Sequence, residues 1–306
     1  MAANIEEGVA LSQDRHHGMV ESWLYPANVA LARVVPLSLA YHISLPIADL
    51  FYWLWTSKRE GALRNYARML GCSPDDERVQ RLARSSFRNF GKYIVELLHV
   101  QGWSRGQFQR VTIRGDEHFD EALRHGKGVI FASAHMGSIE VGSSLVLARG
   151  FRITSVMEQL RPKIMMDWIV TCRAKMGVSL LPTAGTGLQL LRALRREEMV
   201  ALIVDVGYRD NGGVPVNFLG HPTYFPAGPA RLARISGAPI VFGVAVRRPG
   251  NRFIAYGSPP ILSDRTKDAE EDIRDLTQQL VDIFERFVRR YPDQWYVFRD
   301  MWPGEE

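Results

Sequence analysis

Cysteines, metal-ligand spacings and hydrolase motifs are scarce or missing in this 306-residue chain. Its two cysteines, Cys72 and Cys172, are too few for a disulfide framework or a four-cysteine zinc site, and they favour a reducing compartment. The eight histidines show no metal-ligand spacing, so we expect no metal and no other resident cofactor. The absence of a G-x-S-x-G motif disfavours a serine hydrolase of the α/β-hydrolase type.

Charge of one sign is in small excess, with 38 basic residues against 33 acidic ones, a net charge of +5 and a pI of about 9.3. This balance suits anionic partners such as phospholipid headgroups, acidic carrier proteins, CoA or nucleic acid, and it does not choose among them. The chain is 46% hydrophobic and 23% charged, which is typical of a soluble globular protein and excludes disordered and fibrous classes.

The most apolar stretch is interrupted by charge and proline. The apolar, aromatic segment runs over residues 23–55. Its most apolar part, residues 36–55, has about the length of a membrane span but contains His42, Asp49 and two prolines, Pro36 and Pro46. We therefore predict one or two helices lying in or against a membrane face; a core hairpin and a true span are the alternatives. The side chains expected at headgroup level are Tyr52, Trp53 and Trp55, with the basic Lys58, Arg59 and Arg64 facing anionic phosphates.

Alternating strand and helix patterns follow this segment. Helices are predicted over residues 58–71, 73–100 and 268–291, and strands over residues 111–114, 128–134, 152–157, 178–181, 199–205, 240–247 and 253–256. The runs 129–132 and 200–204 lack polar alternation, as expected of strands buried on both faces. The pattern predicts an α/β fold with a mostly parallel central sheet flanked by helices.

The chain divides into three predicted parts. Residues 1–16 are polar, lack the pattern of a secretory signal and are expected to form a disordered tail. Residues 17–100 are predicted to form a helical, membrane-associating region, and residues 101–306 a catalytic region packed as one domain with that lobe. Active sites in open α/β sheets form beyond the carboxyl ends of the strands, so we expect functional residues after positions 134, 157 and 204.

A histidine and a glutamate follow the first of the two buried strands. His135 stands where the strand ends, Gly137 and Ser138 indicate a turn with a Ser cap, and Glu140 falls in the first turn of the next helix. We expect Glu140 to accept a hydrogen bond from one imidazole nitrogen, which leaves the other as a free base. Such a pair suits attack by a substrate hydroxyl on an acyl carbonyl. The alternative is a histidine that is merely a satisfied core or capping residue.

Residues 132–140, Ala-Ser-Ala-His-Met-Gly-Ser-Ile-Glu, resemble the signature block of the bacterial lipid A biosynthesis acyltransferases, within the glycerolipid acyltransferase superfamily. That family includes the late lauroyl and myristoyl transferases and the phosphatidylinositol mannoside acyltransferases. Its signature is a His, four residues and an Asp or Glu, often H-x-G-N-W-[DE]; Ser138 and Ile139 replace the common Asn-Trp here. Further similar blocks occur in the same order at residues 64–66, 84–96, 158–162, 173 with 176–178, 205 with 213–220, 226–230 and 291–296.

The resemblance implies a glycerolipid acyltransferase-like fold and an O-acyltransferase activity. A fatty acyl chain would move from acyl-CoA or acyl carrier protein, as co-substrate, to a hydroxyl of a lipid or glycolipid, with His135 as general base and Glu140 as its partner. A lipid A precursor and a phosphatidylinositol mannoside are both open as acceptors. The residues that match substrate-binding positions are Glu158, Arg161, Arg173 and Asp205.

Two other functions compete with acyl transfer: hydrolysis of an acyl thioester, and non-catalytic lipid binding on the same fold. The intact pair of His135 and Glu140 argues against the second, and the apolar N-terminal segment favours a membrane acceptor over water. We expect a peripheral protein on the cytoplasmic face of the inner membrane, with lipid, acyl donor and membrane surface as partners and no nucleic acid.

Overall fold

The N-terminal part of the molecule is helical. A computed structural model describes residues 34–99, 109–157, 163–183, 185–205 and 213–302. Within them α1 (Leu37–Leu54) lies along α3 (Glu77–His99), and α2 (Thr56–Leu70) packs against both. α1 has 18 residues and continues through Pro46. The segment predicted as one or two helices, residues 23–55, is described from residue 34 onwards; its first part and the predicted tail over residues 1–16 lie outside the described residues. Gly71, at a φ of 64°, ends α2 in the left-handed conformation that favours glycine.

A seven-stranded sheet with the order β1-β9-β8-β2-β5-β3-β4 forms the centre of the molecule. Its neighbouring strands run parallel, apart from the antiparallel pair β8 and β9. The strands are β1 (Val111–Arg114), β2 (Val129–Ser133), β3 (Ile153–Met157), β4 (Val178–Pro182), β5 (Met199–Ile203), β8 (Ile240–Arg248) and β9 (Arg252–Gly257). Parallel neighbours place their carboxyl ends at one edge, which is where a site is expected in such sheets.

Helices connect and cover the strands. They are α4 (Asp116–Leu123), α5 (Ile139–Ala148), α6 (Lys163–Met176), α7 (Gly187–Arg195), α8 (Gly228–Ser236) and α9 (Ala269–Arg290). The long α9 begins at Asp268, whose carboxylate accepts the N–H groups of Glu270 and Glu271. After α9, a short 3-10 turn over Pro292–Gln294 brings the C-terminal segment back to the sheet.

The central strands are buried on both faces, as their unbroken apolar runs predict. Ile130 and Ala132 of β2 and Val200 of β5 are fully buried. The predicted fold class, an α/β fold with a mostly parallel sheet flanked by helices, is confirmed. The main differences at element ends are small, since β2 stops at Ser133 and β5 at Ile203, two residues before His135 and Asp205.

One pair of strands is absent from the predicted elements. β6 (Gly213–Phe218) and β7 (His221–Pro226) form an antiparallel hairpin apart from the main sheet. Leu219 and Gly220 make the two-residue turn with φ values of 56° and 86°, the backbone that two-residue hairpins require. The alternating buried positions Val214, Val216 and Phe218 of β6 carried the signal.

The outer face of α1 is apolar and exposed. Its exposed side chains are Leu39, Ile43, Ile47, Leu50, Phe51, Trp53 and Leu54, and Trp55 follows directly. Lys58 stacks over the ring of Trp55 at 5.8 Å and Arg59 over that of Trp53 at 5.5 Å. Among the described residues, no helix combines the length and the hydropathy that crossing a membrane requires.

Two side chains predicted at headgroup level have other partners, and Asp49 turns away from this face. Asp49 points inward to Arg84 and Arg88 of α3, with oxygen–nitrogen distances of 2.8 and 2.6 Å. Tyr52, predicted at headgroup level, is instead buried and donates its hydroxyl to Gln80 at 2.8 Å. Arg64, predicted to face lipid phosphates, pairs with Asp300 at 2.8 Å. The helical period explains the positions of Asp49 and Tyr52, because α1 must turn one side of the apolar stretch toward α3.

Candidate active site

The candidate site lies where two adjacent parallel strands end. β2 and β5 pair in register from Val129 opposite Met199 to Ser133 opposite Ile203. His135 and Asp205 each follow their strand by two residues, so the pairing brings them side by side although 70 positions separate them in the chain. The two side chains thus meet at the carboxyl edge of the sheet, where the sequence analysis expected functional residues.

Asp205 is the buried centre of a hydrogen-bond network. Its carboxylate oxygens accept the backbone N–H of His135 at 3.0 and 2.9 Å, the His135 imidazole Nδ1 at 2.9 Å, and the indole N–H of Trp295 at 3.1 Å. The Asp205 side chain is 0% exposed, whereas that of His135 is 37% exposed. Three donors around one carboxylate fix its orientation.

The imidazole of His135 is held in one tautomer by this contact. A carboxylate can only accept, so Nδ1 carries the proton and Nε2 keeps its lone pair. Nε2 makes no hydrogen bond with any residue that the structure describes. The partly exposed ring therefore offers an oriented base to a ligand, which is the chemistry of proton removal from a hydroxyl.

The turn after His135 packs closely against the backbone of the neighbouring strand β8. Gly137 has a φ of 63°, and a Cβ there would lie 2.2 Å from the carbonyl oxygen of Ala245. The same carbonyl accepts the N–H of Ser138 at 2.8 Å. The Ser138 hydroxyl then accepts the N–H of Val141 at 3.3 Å and caps α5, as predicted.

The C-terminal segment supports the turn from the other side. The N–H of Gly137 donates to the carbonyl of Gln294 at 2.9 Å, and the N–H of Tyr296 donates to the carbonyl of His135 at 2.9 Å. The side-chain amide of Gln294 exchanges two hydrogen bonds with the backbone of Arg247, at 2.7 and 2.8 Å. Tyr66 holds this segment by donating its hydroxyl to the Trp295 carbonyl. The residues around 291–296 therefore belong to the site.

The predicted hydrogen bond between Glu140 and the imidazole is absent from the structure. Its carboxylate is almost fully buried and accepts two N–H groups of Arg173 in α6, at 2.8 Å from Nη2 and 3.3 Å from Nε. The partner of His135 in the structure is Asp205, one of the predicted substrate-binding residues. The turn at Gly137 explains the difference, because it starts α5 with Glu140 facing α6 while β5 delivers Asp205 beside the imidazole.

The remaining predicted site residues fall in two groups. Arg173 lies in the last turn of α6, next to Glu140, so it belongs to the same neighbourhood. Glu158 and Arg161 lie outside the residues that the structure describes. Trp295 and Tyr296 were not predicted as site residues, although they lie in one of the family-like blocks. Within the described ranges, no group of three or more His, Cys, Asp or Glu side chains is arranged to hold a metal ion.

Tyr296 completes the wall around the imidazole. Its ring lies edge-on to that of His135, with centroids 5.8 Å apart, and packs against Tyr93 and Phe90 of α3 at 5.3 and 5.4 Å. Burial raises the pKa of its phenol far above the ordinary value, and the charges of Asp205 and Glu140 raise that pKa further. The phenol therefore keeps its proton at neutral pH.

Comparisons with known proteins identify the family of the chain. Residues 11–303 match the model of the family described as bacterial lipid A biosynthesis acyltransferase. The chain belongs to this family. It is therefore an O-acyltransferase of a family that acts on lipids and glycolipids, and the resemblance drawn from the sequence is confirmed.

Similar curated proteins are phosphatidylinositol mannoside acyltransferases. The one from Mycobacterium tuberculosis (strain ATCC 25618 / H37Rv) is 26% identical over 314 residues, which cover 97% of this chain and 94% of the relative. The one from Mycolicibacterium smegmatis (strain ATCC 700084 / mc(2)155) is 26% identical over 292 residues, covering 93% and 92%. The likeness thus extends along nearly the whole length of each acyltransferase.

Proposed function

We propose that this acyltransferase moves a fatty acyl chain from an acyl thioester to a hydroxyl of a lipid or glycolipid, with His135 as general base and Asp205 as the residue that orients it. The observation that carries the proposal is the 2.9 Å contact between imidazole Nδ1 and the buried Asp205 carboxylate, which leaves Nε2 as a base at the sheet edge. The base-and-orienter pair is the half of a catalytic triad that a reaction needs when the nucleophile is the substrate itself.

The reaction would proceed through a tetrahedral intermediate. The acceptor oxygen attacks the thioester carbonyl carbon while its proton moves to Nε2 of His135. When the intermediate collapses, the carbon–sulfur bond breaks and the sulfur takes the proton from the imidazolium. The products are an ester and a free thiol, and Asp205 stabilises the imidazolium without changing its own protonation state.

Glu140 and Arg173 are proposed to shape the acceptor side of the site. Their ion pair is mostly buried and joins α6 to α5, the helix that follows the His135 turn. The Arg173 side chain is 22% exposed, which leaves part of it accessible to an anionic group of a lipid headgroup. Glu158 and Arg161 remain proposed substrate contacts on the strength of the family resemblance.

The apolar face of α1 is proposed to rest on the membrane that holds the acceptor. An exposed Leu, Ile, Phe and Trp surface of this extent costs free energy in water, and one lipid surface would cover all of it. Lys58 and Arg59, stacked on the adjoining indole rings, place positive charge at the same level for anionic headgroups. We place this attachment on the cytoplasmic face, where acyl thioesters are made.

A phosphatidylinositol mannoside is the acceptor that the comparisons favour, because the named relatives act on it and match along nearly the full length of the chain. A lipid A precursor is the second candidate, suggested by the family description. Acyl-CoA and acyl carrier protein would both present the thioester.

The test is a panel of acceptors and donors. Full-length protein is incubated with vesicles that contain either acceptor, with C16 acyl-CoA or C16 acyl carrier protein, and products are identified by mass spectrometry. The proposal expects an acceptor that gains one acyl chain. Release of free fatty acid at the same rate with and without any acceptor would identify a hydrolase instead.

A further inference from the structure

Of the eight described tyrosines, six have their hydroxyl in a hydrogen bond; the exposed Tyr224 and the site residue Tyr296 have none with a described residue. These bonds are Tyr41 to Glu96, Tyr52 to Gln80, Tyr66 to the Pro292 and Trp295 carbonyls, Tyr93 to Gln294, and Tyr256 with Tyr291. Tyrosines this close to a core normally find a partner for the hydroxyl. The Tyr296 phenol makes no hydrogen bond to any described residue although it borders the imidazole.

The ring of Tyr296 is held in place by its surroundings. Its backbone N–H donates to the carbonyl of His135 at 2.9 Å, which ties the two residues together. Tyr93 and Phe90 pack against the ring at 5.3 and 5.4 Å, while the His135 imidazole meets it edge-on. The hydroxyl, which has no partner among the described residues, is therefore carried by a ring of fixed orientation, which is what stabilising a transition state requires.

The charges around this phenol keep it a donor. Asp205 and Glu140 are negative and disfavour the phenolate, and the positive Arg173 opposes them only in part. Burial in the aromatic group acts in the same direction. Two neighbouring donors have carboxylate partners of their own, because Arg173 donates to Glu140 and the Trp295 indole donates to Asp205.

We propose that the Tyr296 hydroxyl donates a hydrogen bond to the oxygen of the thioester carbonyl as it becomes an oxyanion in the tetrahedral intermediate. This inference rests on the proposed function, since it needs the acyl transfer that His135 initiates. The phenol keeps its proton throughout: the acceptor proton passes to Nε2 and then to the departing sulfur. Tyr296 would lower the barrier by binding the developing charge more strongly than the neutral carbonyl.

The test is Tyr296→Phe, which removes the hydroxyl and keeps the ring. The full-length variant is assayed against wild type with C16 acyl-CoA and the acceptor identified in the panel above, from pH 5 to pH 9. We expect kcat to fall about 100-fold, as for loss of one oxyanion donor, with little change in the KM of either substrate. The pH at which the rate reaches half its plateau should not move, because His135 and Asp205 are untouched.

Two controls separate this role from packing. Tyr256→Phe removes a hydroxyl that bonds to Tyr291, in the aromatic cluster beside α9, and should leave kcat near the wild-type value. Tyr296→Leu removes ring and hydroxyl together and should lose no less activity than Tyr296→Phe.

The outcomes are distinct. Wild-type kcat in Tyr296→Phe, or a loss confined to KM, overturns the oxyanion role. A wild-type protein that transfers no acyl chain to any acceptor overturns the proposed function itself, and this inference with it.

Discussion

Replacing Asp205 by Asn separates the charge of the orienting residue from its shape. In the native protein one carboxylate oxygen faces His135 Nδ1 at 2.9 Å and the other faces the Trp295 indole N–H at 3.1 Å. An amide has one acceptor oxygen and one NH₂, so it can accept from only one of these two donors. The indole can only donate, whereas the imidazole can exchange tautomers.

The amide oxygen should therefore turn to Trp295 and the NH₂ to the imidazole. Nδ1 then becomes an acceptor, Nε2 carries the proton, and the base needed for attack is lost. An analogous Asp→Asn change in a serine protease triad lowers kcat about 10⁴-fold through the wrong tautomer. We expect a loss of about 10²–10⁴-fold in kcat here.

The assay is the pH profile of kcat for wild type, Asp205→Asn and Glu140→Gln, combined with ¹⁵N NMR of the His135 ring. Asp205→Asn should show the exchanged tautomer, whereas Glu140→Gln should retain the native one, since Glu140 contacts Arg173. Glu140→Gln should instead lower the melting temperature, because it leaves a mostly buried guanidinium without its anion. The reasoning is refuted if Glu140→Gln changes the tautomer and Asp205→Asn keeps it with full activity.

Three further predictions concern the turn, the membrane face and acid stability. Gly137→Ala should lower both stability and activity, since its Cβ would lie 2.2 Å from the Ala245 oxygen, whereas Gly150→Ala, with open space around it, should cost only about 1–2 kcal/mol of left-handed strain in thermal unfolding. The combined variant Ile47→Gln, Leu50→Gln and Leu54→Gln should lower the affinity for anionic vesicles, measured by co-sedimentation, about 100-fold, because burying each side chain contributes about 1.5–3 kcal/mol before allowing for partial exposure. Leu188→Gln with Ile235→Gln, at two other exposed apolar positions, is the control. Unchanged affinity in the α1 variant would exclude α1 as the membrane contact. Arg84 and Arg88 hold the pKa of Asp49 well below its ordinary value of about 4, so the ionised Asp49 stabilises the fold above pH 4 and this stabilisation is lost as the pH falls further. Asp49→Asn should therefore reduce the dependence of the melting temperature on pH in the acid range. An unchanged dependence would count against a stabilising role of these ion pairs.

Local sequence patterns were sufficient to predict the fold and, of the pair His135 and Asp205, the role of His135. The unbroken apolar runs 129–132 and 200–204 predicted β2 and β5, and the position of His135 after a buried strand singled it out as a base. The hairpin of β6 and β7 went unnoticed because its alternation covers only six residues on each side of a two-residue turn.

The partner of His135 was beyond local reasoning. Glu140 is five positions away in the chain and Asp205 is 70 away, yet the strand order puts β5 next to β2. Strand order in a parallel sheet depends on how whole helices cross over, which no spacing within one motif reveals. The same limitation hid Trp295 and Tyr296, which reach the site only because the chain after α9 returns to the turn at Gly137.

The most direct test of the account compares two histidine variants of the full-length protein in the transfer assay. His135→Ala removes the base, and His118→Ala removes a histidine of α4 whose nearest acidic partner is Glu121 at 3.8 Å. The account predicts that His135→Ala folds with a near-native melting temperature and transfers acyl chains at least about 100-fold more slowly, whereas His118→Ala matches wild type. A well-folded His135→Ala protein that acylates the lipid acceptor at the wild-type rate would contradict the account.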